Sequence, residues 1–228
     1  MKGHGKIVIV LILGLICAGC SSGSHFSLRS SQDAKAGNLS KIEKYGADSP
    51  PILYAGSEFT YQDLSVSGGR VSRISMEVKE RKQFEHKPAY WIEVTEKGIS
   101  YFNIYDMNLN WIGMFGEGRE LESAEPCFEM FRWPLEIGKD WNSGYVFRDY
   151  SDHSHDAQIH KSEVHVNIQS YEEVGVPAGT FKALKIQAGR ETFWYAPCIG
   201  WIVKEELGTG NQNGRILELV EYHISGSR

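Results

Sequence analysis

The chain has 228 residues, of which 24 are lysine or arginine and 29 are aspartate or glutamate, so its formal net charge is −5 at pH 7. This mildly acidic balance excludes an electrostatic footprint for nucleic acid, and no polybasic segment would hold the chain on a membrane surface. A chain of this length can bury about 70% of the surface of its unfolded state, so it can fold without a metal or a disulfide.

The first 19 residues have the features of a secretory signal. Lys2 and Lys6 give a basic start, and Ile7–Ile16 form an apolar segment of about ten residues. A helix that spans a bilayer needs about 20 apolar residues, so this segment is too short to cross a membrane. It matches the apolar region of a signal peptide, which we predict over residues 1–19.

A short motif follows the apolar segment: Cys17-Ala18-Gly19-Cys20, then Ser21. Two small residues followed by cysteine resemble the lipobox of bacterial lipoproteins. The resemblance implies cleavage between Gly19 and Cys20, a diacylglycerol thioether on Cys20, and acylation of the new amine, as by palmitate. Ser21 after the cysteine implies export to the outer membrane, facing the periplasm, in a Gram-negative host. An ordinary signal peptide that leaves Cys20 as a free thiol stays open as the alternative.

The next segment has the composition of a flexible tether. Residues 20–51 are rich in Ser, Gly, Lys, Asp and Asn, hold few large apolar side chains, and end at Ser49-Pro50-Pro51. About 30 flexible residues have a root-mean-square reach near 30 Å. We therefore expect residues 20–51 to keep the following domain close to its own membrane.

From Ile52 onward the apolar residues recur with the period of two that is typical of half-buried strands. The pattern is clearest over Tyr90–Thr95, Val164–Gln169 and Ile216–Tyr222. Similar runs, rich in β-branched and aromatic residues, predict further strands at Glu58–Val66, Arg70–Phe84, Ser100–Asp106, Trp111–Phe115, Gly144–Tyr150, Phe181–Ala188, Glu191–Ala196 and Trp201–Leu207.

Turn residues separate these runs by short intervals, for example at Lys97-Gly98. Short connections favour a mostly antiparallel meander, here of about ten strands, over a parallel arrangement. Such a sheet must curl to bury one face, so we predict an all-β fold over residues 52–228: a curved sheet, half-barrel or barrel-like sandwich. One short helix is expected near Glu120–Phe131, interrupted by Pro126.

Three segments of the C-terminal half carry a family resemblance: Trp133–Trp141, Val176–Ile186 and Trp194–Lys204. Together they resemble a group of exported bacterial proteins of unknown function that share a VPAGTF … WYAPGxG pattern. The resemblance covers about residues 130–224 and implies no activity and no catalytic residue. We therefore expect these motifs to maintain the fold.

Two cysteines lie in the predicted domain, Cys127 and Cys198, and Cys198 stands where the family pattern has glycine. An even pair of cysteines in an exported domain favours a disulfide. Closing a loop of about 70 residues would stabilise the fold by about 4 kcal/mol in the chain-entropy model. Two separate buried thiols are the alternative.

The histidines cluster at His153, His155, His160 and His165. His153 and His155 would share one face of an extended segment, and nearby carboxylates could complete a Zn²⁺ or Cu²⁺ site. The competing interpretation is a solvated hairpin loop, because His160 and His165 differ in parity on the strand that follows.

Functional motifs are scarce in the chain. Its six tryptophans fit either a platform for a sugar or an apolar ligand, or the core of a sheet. There is no G-x-S-x-G, H-E-x-x-H or Walker motif, so we expect neither an enzyme nor a cofactor. We predict a cell-envelope lipoprotein that is a membrane-tethered binding or scaffold module, with an envelope protein or an apolar ligand as its partner. The alternative is a metal carrier or sensor.

Overall fold

The computed structural model describes residues 46–65, 71–150, 157–208 and 214–226. These residues form the strands β1 (Gly46–Ala47), β2 (Glu58–Ser65), β3 (Val71–Phe84), β4 (Lys87–Glu96), β5 (Ile99–Asp106), β6 (Trp111–Gly116), β7 (Arg119–Phe128), β8 (Leu135–Glu136), β9 (Asp140–Asp149), β10 (Gln158–Val176), β11 (Gly179–Ala188), β12 (Glu191–Ala196), β13 (Trp201–Leu207) and β14 (Arg215–His223). Within the described ranges, no helix is long and apolar enough to span a membrane.

Twelve of these strands form one closed antiparallel barrel. They pair in chain order from β2 to β7, continue through β9 to β14, and close where β14 pairs with β2. β1 and β8 pair separately as a two-stranded sheet. The prediction of an all-β, mostly antiparallel meander with a barrel-like shape is confirmed.

The period-two pattern located most strands to within a few residues. β12 and β13 have the predicted bounds, whereas β10 is a 19-residue strand of which only the central part was predicted. The helix expected near Glu120–Phe131 was wrong, because this segment is strand β7 and pairs with β6 and β9. Pairing on both sides satisfies the backbone groups that a helix would have satisfied internally.

Two-residue turns join several neighbouring strands. Lys97-Gly98 joins β4 to β5 and Glu117-Gly118 joins β6 to β7, with φ positive at all four residues. Positive φ at both central positions defines the type I′ turn, whose twist matches that of an antiparallel hairpin. These tight turns keep consecutive strands paired and so produce the meander.

The barrel interior is filled by large aromatic and aliphatic side chains. Phe59 stacks on Trp201 with ring centroids 5.1 Å apart, and Tyr105 meets the same tryptophan edge-on at 5.8 Å. The buried Tyr61 hydroxyl donates a hydrogen bond to the carbonyl of Ile202 at 2.6 Å. Because these contacts join strands from different sides of the barrel, they define which face of each strand points inward.

The first described residues pack against the barrel unit. Gly46–Ala47 pair with Leu135–Glu136, and the Cα of Gly200 lies so close to Pro51 that an added Cβ would stand 2.7 Å from the proline Cβ. Residues 46–51 of the predicted tether are therefore packed with the domain. The predicted signal peptide, Gly19, Cys20 and the rest of the tether lie outside the described residues.

Candidate functional site

A group of charged side chains lies inside the barrel, at the end where the β4–β5 and β6–β7 turns lie. We call it the buried polar cluster; its members are Asp63, Glu96, Tyr101, Glu122, Glu205 and Arg215. Each stands on the inward face of its strand; Asp63, for example, follows Phe59 and Tyr61 at the spacing of two residues that keeps side chains on one face. The cluster combines four carboxyl groups with one guanidinium.

Arg215 is the cation of the cluster. Leu217 pairs with both Asp63 and Glu205, so Arg215, two residues before Leu217, is a diagonal neighbour of both carboxylates. Its Nη2 lies 2.6 Å from Oδ2 of Asp63 and 3.1 Å from Oε1 of Glu96. One guanidinium therefore ties β14 to β2 and, across the interior, to β4.

Two other acids of the cluster have raised pKa values. Burial raises the pKa of Glu122 to about 8, with a smaller contribution from the charge of Asp149. Burial also raises the pKa of Glu205 to about 7, although the nearby Arg215 opposes the shift. Both carboxyl groups can consequently change their protonation state near neutral pH.

Several polar atoms of the cluster have no hydrogen-bond partner within the described part of the chain. They are the oxygens Asp63 Oδ1, Glu122 Oε2 and the Tyr101 hydroxyl, together with Arg215 Nε. Burial is the largest cause that raises the pKa of Tyr101, and Glu96, Glu122 and Glu205 contribute. Buried polar atoms without partners are uncommon, and a missing water or ion is one of their usual causes.

A second feature lies on the outside of the barrel. Trp91 pairs with Ile104 and Phe102 pairs with Phe115, all on the face opposite to the inward-pointing Tyr90 and Tyr105. Together they belong to a cluster that we call the outer aromatic face: Phe84, Ala89, Trp91, Phe102, Ile104, Ile112, Phe115 and Cys127. Phe102 and Phe115 are only partly buried, so apolar surface is open to solvent here.

Aromatic contacts organise this outer aromatic face around Trp91. Its ring meets Phe84, Phe102 and Phe115 edge-on at centroid distances of 6.0, 5.6 and 5.5 Å. The Nζ of Lys82 lies 3.8 Å from the centroid of the Trp91 ring, a cation–π contact. The surface is therefore preorganised, apolar at its centre and charged at its rim.

A cavity of about 10 Å³, enough for about one water molecule, lies among Met76, Tyr105, Leu109, Met130, Phe131, Tyr195, Trp201, Ile202 and Glu205. Its lining is apolar except for the tyrosine hydroxyls, the tryptophan nitrogen and the Glu205 carboxyl. Such a cavity is too small for the apolar ligand that a concave sheet could hold.

Two of the four predicted metal ligands lie in the described part of the chain, and these two do not come together. His160 and His165 lie on opposite faces of β10, because His160 pairs with Phe147 and His165 pairs with Asn142. His165 Nδ1 is 3.0 Å from Oδ1 of Asn142. His153 and His155 lie outside the described residues. Among the described residues, no three His, Cys, Asp or Glu side chains are placed to hold one metal ion.

The predicted disulfide between Cys127 and Cys198 is corrected by the structure, in which both are free thiols. Cys127 lies on β7 beside the outer aromatic face, where burial raises its pKa to about 11. Cys198 is exposed in the turn between β12 and β13, near Tyr195. The even number of cysteines therefore did not indicate a contact between them.

Sequence reasoning missed both features of the barrel. The signal for the buried polar cluster was present in the alternation, since Asp63 and Glu205 occupy positions where an apolar side chain was expected. Glu205 and Glu206 lie on opposite faces of β13: Glu205 is buried, while Glu206 pairs with Lys204 at 3.0 Å. The outer aromatic face is visible in the sequence of β4 as a run of apolar residues that occupies both faces of the strand.

Comparisons with known proteins give solved structures of low similarity only. No family model and no curated protein matches it. An exported protein of Bacteroides fragilis with a YmcC-like fold is 12% identical, with a TM-score of 0.38 over 78% of this chain and 99% of that chain. A lipoprotein of Parabacteroides distasonis is 12% identical (TM-score 0.33; 77% and 97%). The hypothetical lipoprotein YmcC of Escherichia coli is 9% identical (TM-score 0.41; 76% and 90%). Likenesses this low transfer neither a fold nor an activity.

Proposed function

We propose that the protein is a lipid-anchored binding or scaffold module of the bacterial cell envelope, without catalytic activity, which holds a protein partner on its outer aromatic face. One observation carries this proposal: the partly exposed rings of Phe102 and Phe115 pack around Trp91 on the outside of the barrel. Aromatic side chains with apolar bodies are enriched at the centres of protein interfaces.

The chemistry of the surface favours a protein over a small molecule. It lies on the outside of paired strands, whereas small-molecule sites are clefts or cavities. Its rim carries the ion pairs of Lys79 with Glu77 and Glu93, at 2.5 and 3.0 Å.

The anchor rests on the lipobox motif. Cleavage before Cys20 and its lipidation would hold the module on a membrane, with Ser21 favouring the outer membrane and the periplasmic side. Two or three acyl chains anchor a protein stably, whereas one gives only marginal binding. Labelling cells with an alkyne analogue of palmitate tests the anchor: the wild-type chain should be labelled, and Cys20→Ser should not. An unlabelled wild type would contradict it.

Photo-crosslinking in intact cells tests the binding surface. A photoreactive amino acid at Phe115 should yield one dominant adduct with an envelope protein. The same amino acid at Lys182, an exposed position of β11 on another part of the barrel, should yield none and serves as the matched control. Equal adducts from both positions, or none from Phe115, would contradict the proposed function.

A further inference from the structure

We propose that one edge of β10, over residues 159–163, pairs with the same edge of a second copy of this chain. We call these residues the open edge. The two copies form an antiparallel strand pair around a two-fold axis, and this interface is separate from the outer aromatic face. It is inferred from three properties of β10: its pairing, the direction of its backbone groups and the order of its charges.

The strands beside β10 change along its length. Residues 158–167 pair with β9, whereas β11 pairs only with residues 166–176. The β11–β12 turn adds one contact, in which the N–H of Gly189 donates to the carbonyl oxygen of His165 at 2.9 Å. Within the described part of the chain, residues 159–163 therefore have a strand on one side only.

The backbone groups of β10 alternate in direction. The carbonyl of His165 faces the β11 side, whereas the N–H and carbonyl of Ile168 bond to the two residues that precede β9. The register is regular from residue 158 to residue 168, so the odd-numbered residues face away from β9. The N–H and C=O groups of Ile159, Lys161 and Glu163 consequently point to the open side of the sheet.

The open edge lacks the features that usually block such edges. Natural proteins prevent edge-to-edge pairing with proline, with a bulge or with charged side chains. The open edge contains no proline and no irregularity of register. Its lysine, Lys161, is followed two positions later by an acid, Glu163, so its charge would repel a second strand only if that strand placed another base opposite it.

The order of these two charges favours a second copy. Lys161 and Glu163 are exposed and lie on the same face of β10. Lys161 has no ion-pair partner among the described residues, and Glu163 Oε1 accepts a hydrogen bond from Nδ2 of Asn142 at 2.8 Å. With Ser162 on the two-fold axis, Lys161 of each copy stands opposite Glu163 of the other. Unlike charges in directly opposite positions stabilise a strand pair.

The axis at Ser162 is the one that the charges select. An axis at Lys161 or at Glu163 would place two like charges opposite each other, which destabilises a strand pair. With Ser162 on the axis, the two Lys161–Glu163 pairs also join residues whose N–H and C=O groups face each other, so each pair can exchange both backbone hydrogen bonds. The paired stretch ends at the β11–β12 turn of the other copy, which Ile159, 63% exposed, then covers.

Sedimentation equilibrium of the full chain in density-matched detergent tests the interface. We expect the wild-type chain to form dimers at tens of micromolar protein. Lys161→Pro should be monomeric, because proline removes an N–H that faces the open side and costs no hydrogen bond to β9. Circular dichroism checks that the variant is folded.

Charge reversals test the register and do not depend on the proline variant. Lys161→Glu and Glu163→Lys should each weaken dimerisation by about tenfold, because both opposite pairs of the interface then carry like charges. The double variant should dimerise as the wild type does, since it restores unlike charges. Lys182→Glu makes the same charge change at an exposed position of β11 and should leave dimerisation unchanged.

Three results would overturn the proposal. The first is a wild-type chain that remains monomeric, which would mean that no second copy pairs with the open edge. The second is a dimer that persists in folded Lys161→Pro, which would place the interface elsewhere, for example on the outer aromatic face. The third is a double charge variant that dimerises no better than the single variants, which would exclude the pairing of Lys161 with Glu163.

Discussion

Arg215 stands out at the scale of single residues because it neutralises two buried carboxylates. Asp63 and Glu96 are each about 95% buried, and the guanidinium contacts both. A buried ion pair contributes little to stability relative to an apolar pair, but removal of one partner leaves an uncompensated charge inside the protein. The guanidinium is therefore required by the carboxylates that surround it.

Arg215→Met tests this requirement, since methionine keeps part of the length of the side chain without its charge. We expect the free energy of unfolding to fall by about 3 kcal/mol, the usual cost of breaking a buried pair, in urea denaturation. Arg148→Met is the matched control, because Arg148 pairs with the exposed Glu125 and such surface pairs are worth less than about 1 kcal/mol. Equal losses in the two variants would contradict the assigned role of Arg215.

The raised pKa values of Glu122 and Glu205 predict how stability depends on pH. Both groups hold their protons more tightly in the folded state than in the unfolded state, where a glutamate titrates near 4.5. The free energy that these two protonated groups contribute to stability is therefore fully present below about pH 4.5. It is lost as the pH rises through about 7 for Glu205 and about 8 for Glu122.

We accordingly expect the free energy of unfolding to fall between about pH 5 and pH 8, by at most about 1.4 kcal/mol per pH unit for each group. Glu122→Gln should remove one group and flatten this dependence, most clearly toward pH 8. Urea denaturation at a series of pH values measures the slope. A wild-type slope that is zero or rises in this range would contradict the burial of both acids as the cause.

The strands show how much of the fold the sequence determined at the scale of elements. The predicted bounds of β12 and β13 agree with the structure because Gly or Pro residues flank both strands. It failed at β7, where Glu120 and Glu122 interrupt the apolar positions and Glu122 points inward. Because an acid occupies an inward position, the sequence of β7 lacks the alternation of a strand. The pairing of β7 with β6 and β9 is what shows that the segment is extended.

The buried polar cluster could not be assembled from sequence for a related reason. Arg215 and Asp63 are separated by 152 positions in the chain, and their contact depends on the closure of the barrel between β14 and β2. Alternation predicts that Asp63 shares a face with Tyr61, but it does not predict which strand lies opposite. The two-residue strands β1 and β8 were missed because they are too short to show a period.

Close packing between β6 and the β3–β4 hairpin gives a prediction for Gly113. A Cβ at this position would stand 3.0 Å from the carbonyl oxygen of Glu122 and 3.2 Å from Cζ of Phe84. We expect Gly113→Ala to destabilise the fold by about 1–3 kcal/mol, the usual cost of overpacking, in urea denaturation.

Gly144→Ala on β9 is the control for this substitution, because no atom lies within 4 Å of its added Cβ. Alanine is less costly than glycine inside a strand, so we expect Gly144→Ala to be neutral or to stabilise by about 0.5 kcal/mol. If Gly113→Ala were as stable as Gly144→Ala, the hairpin that carries Phe84 would not press on β6 as the structure shows.

The part of the chain that the structure describes forms a closed barrel with three distinct regions. Its middle is filled by aromatic side chains such as Phe59, Tyr61 and Trp201, and one end contains the buried polar cluster. The outer aromatic face lies on the outer side of the barrel and includes the partly exposed Phe102 and Phe115. A protein organised in this way is suited to binding at its outside while the barrel itself stays rigid.

The central claim is that the outer aromatic face is covered by a partner in the envelope, and hydroxyl-radical footprinting tests it most directly. The full chain is oxidised in its native membranes and, separately, after purification in detergent. We predict that Phe102 and Phe115 are protected in the membranes, while Tyr54 and Tyr222, exposed aromatic residues elsewhere, are oxidised equally in both samples. Equal oxidation of Phe102 and Phe115 in the two samples would contradict the account.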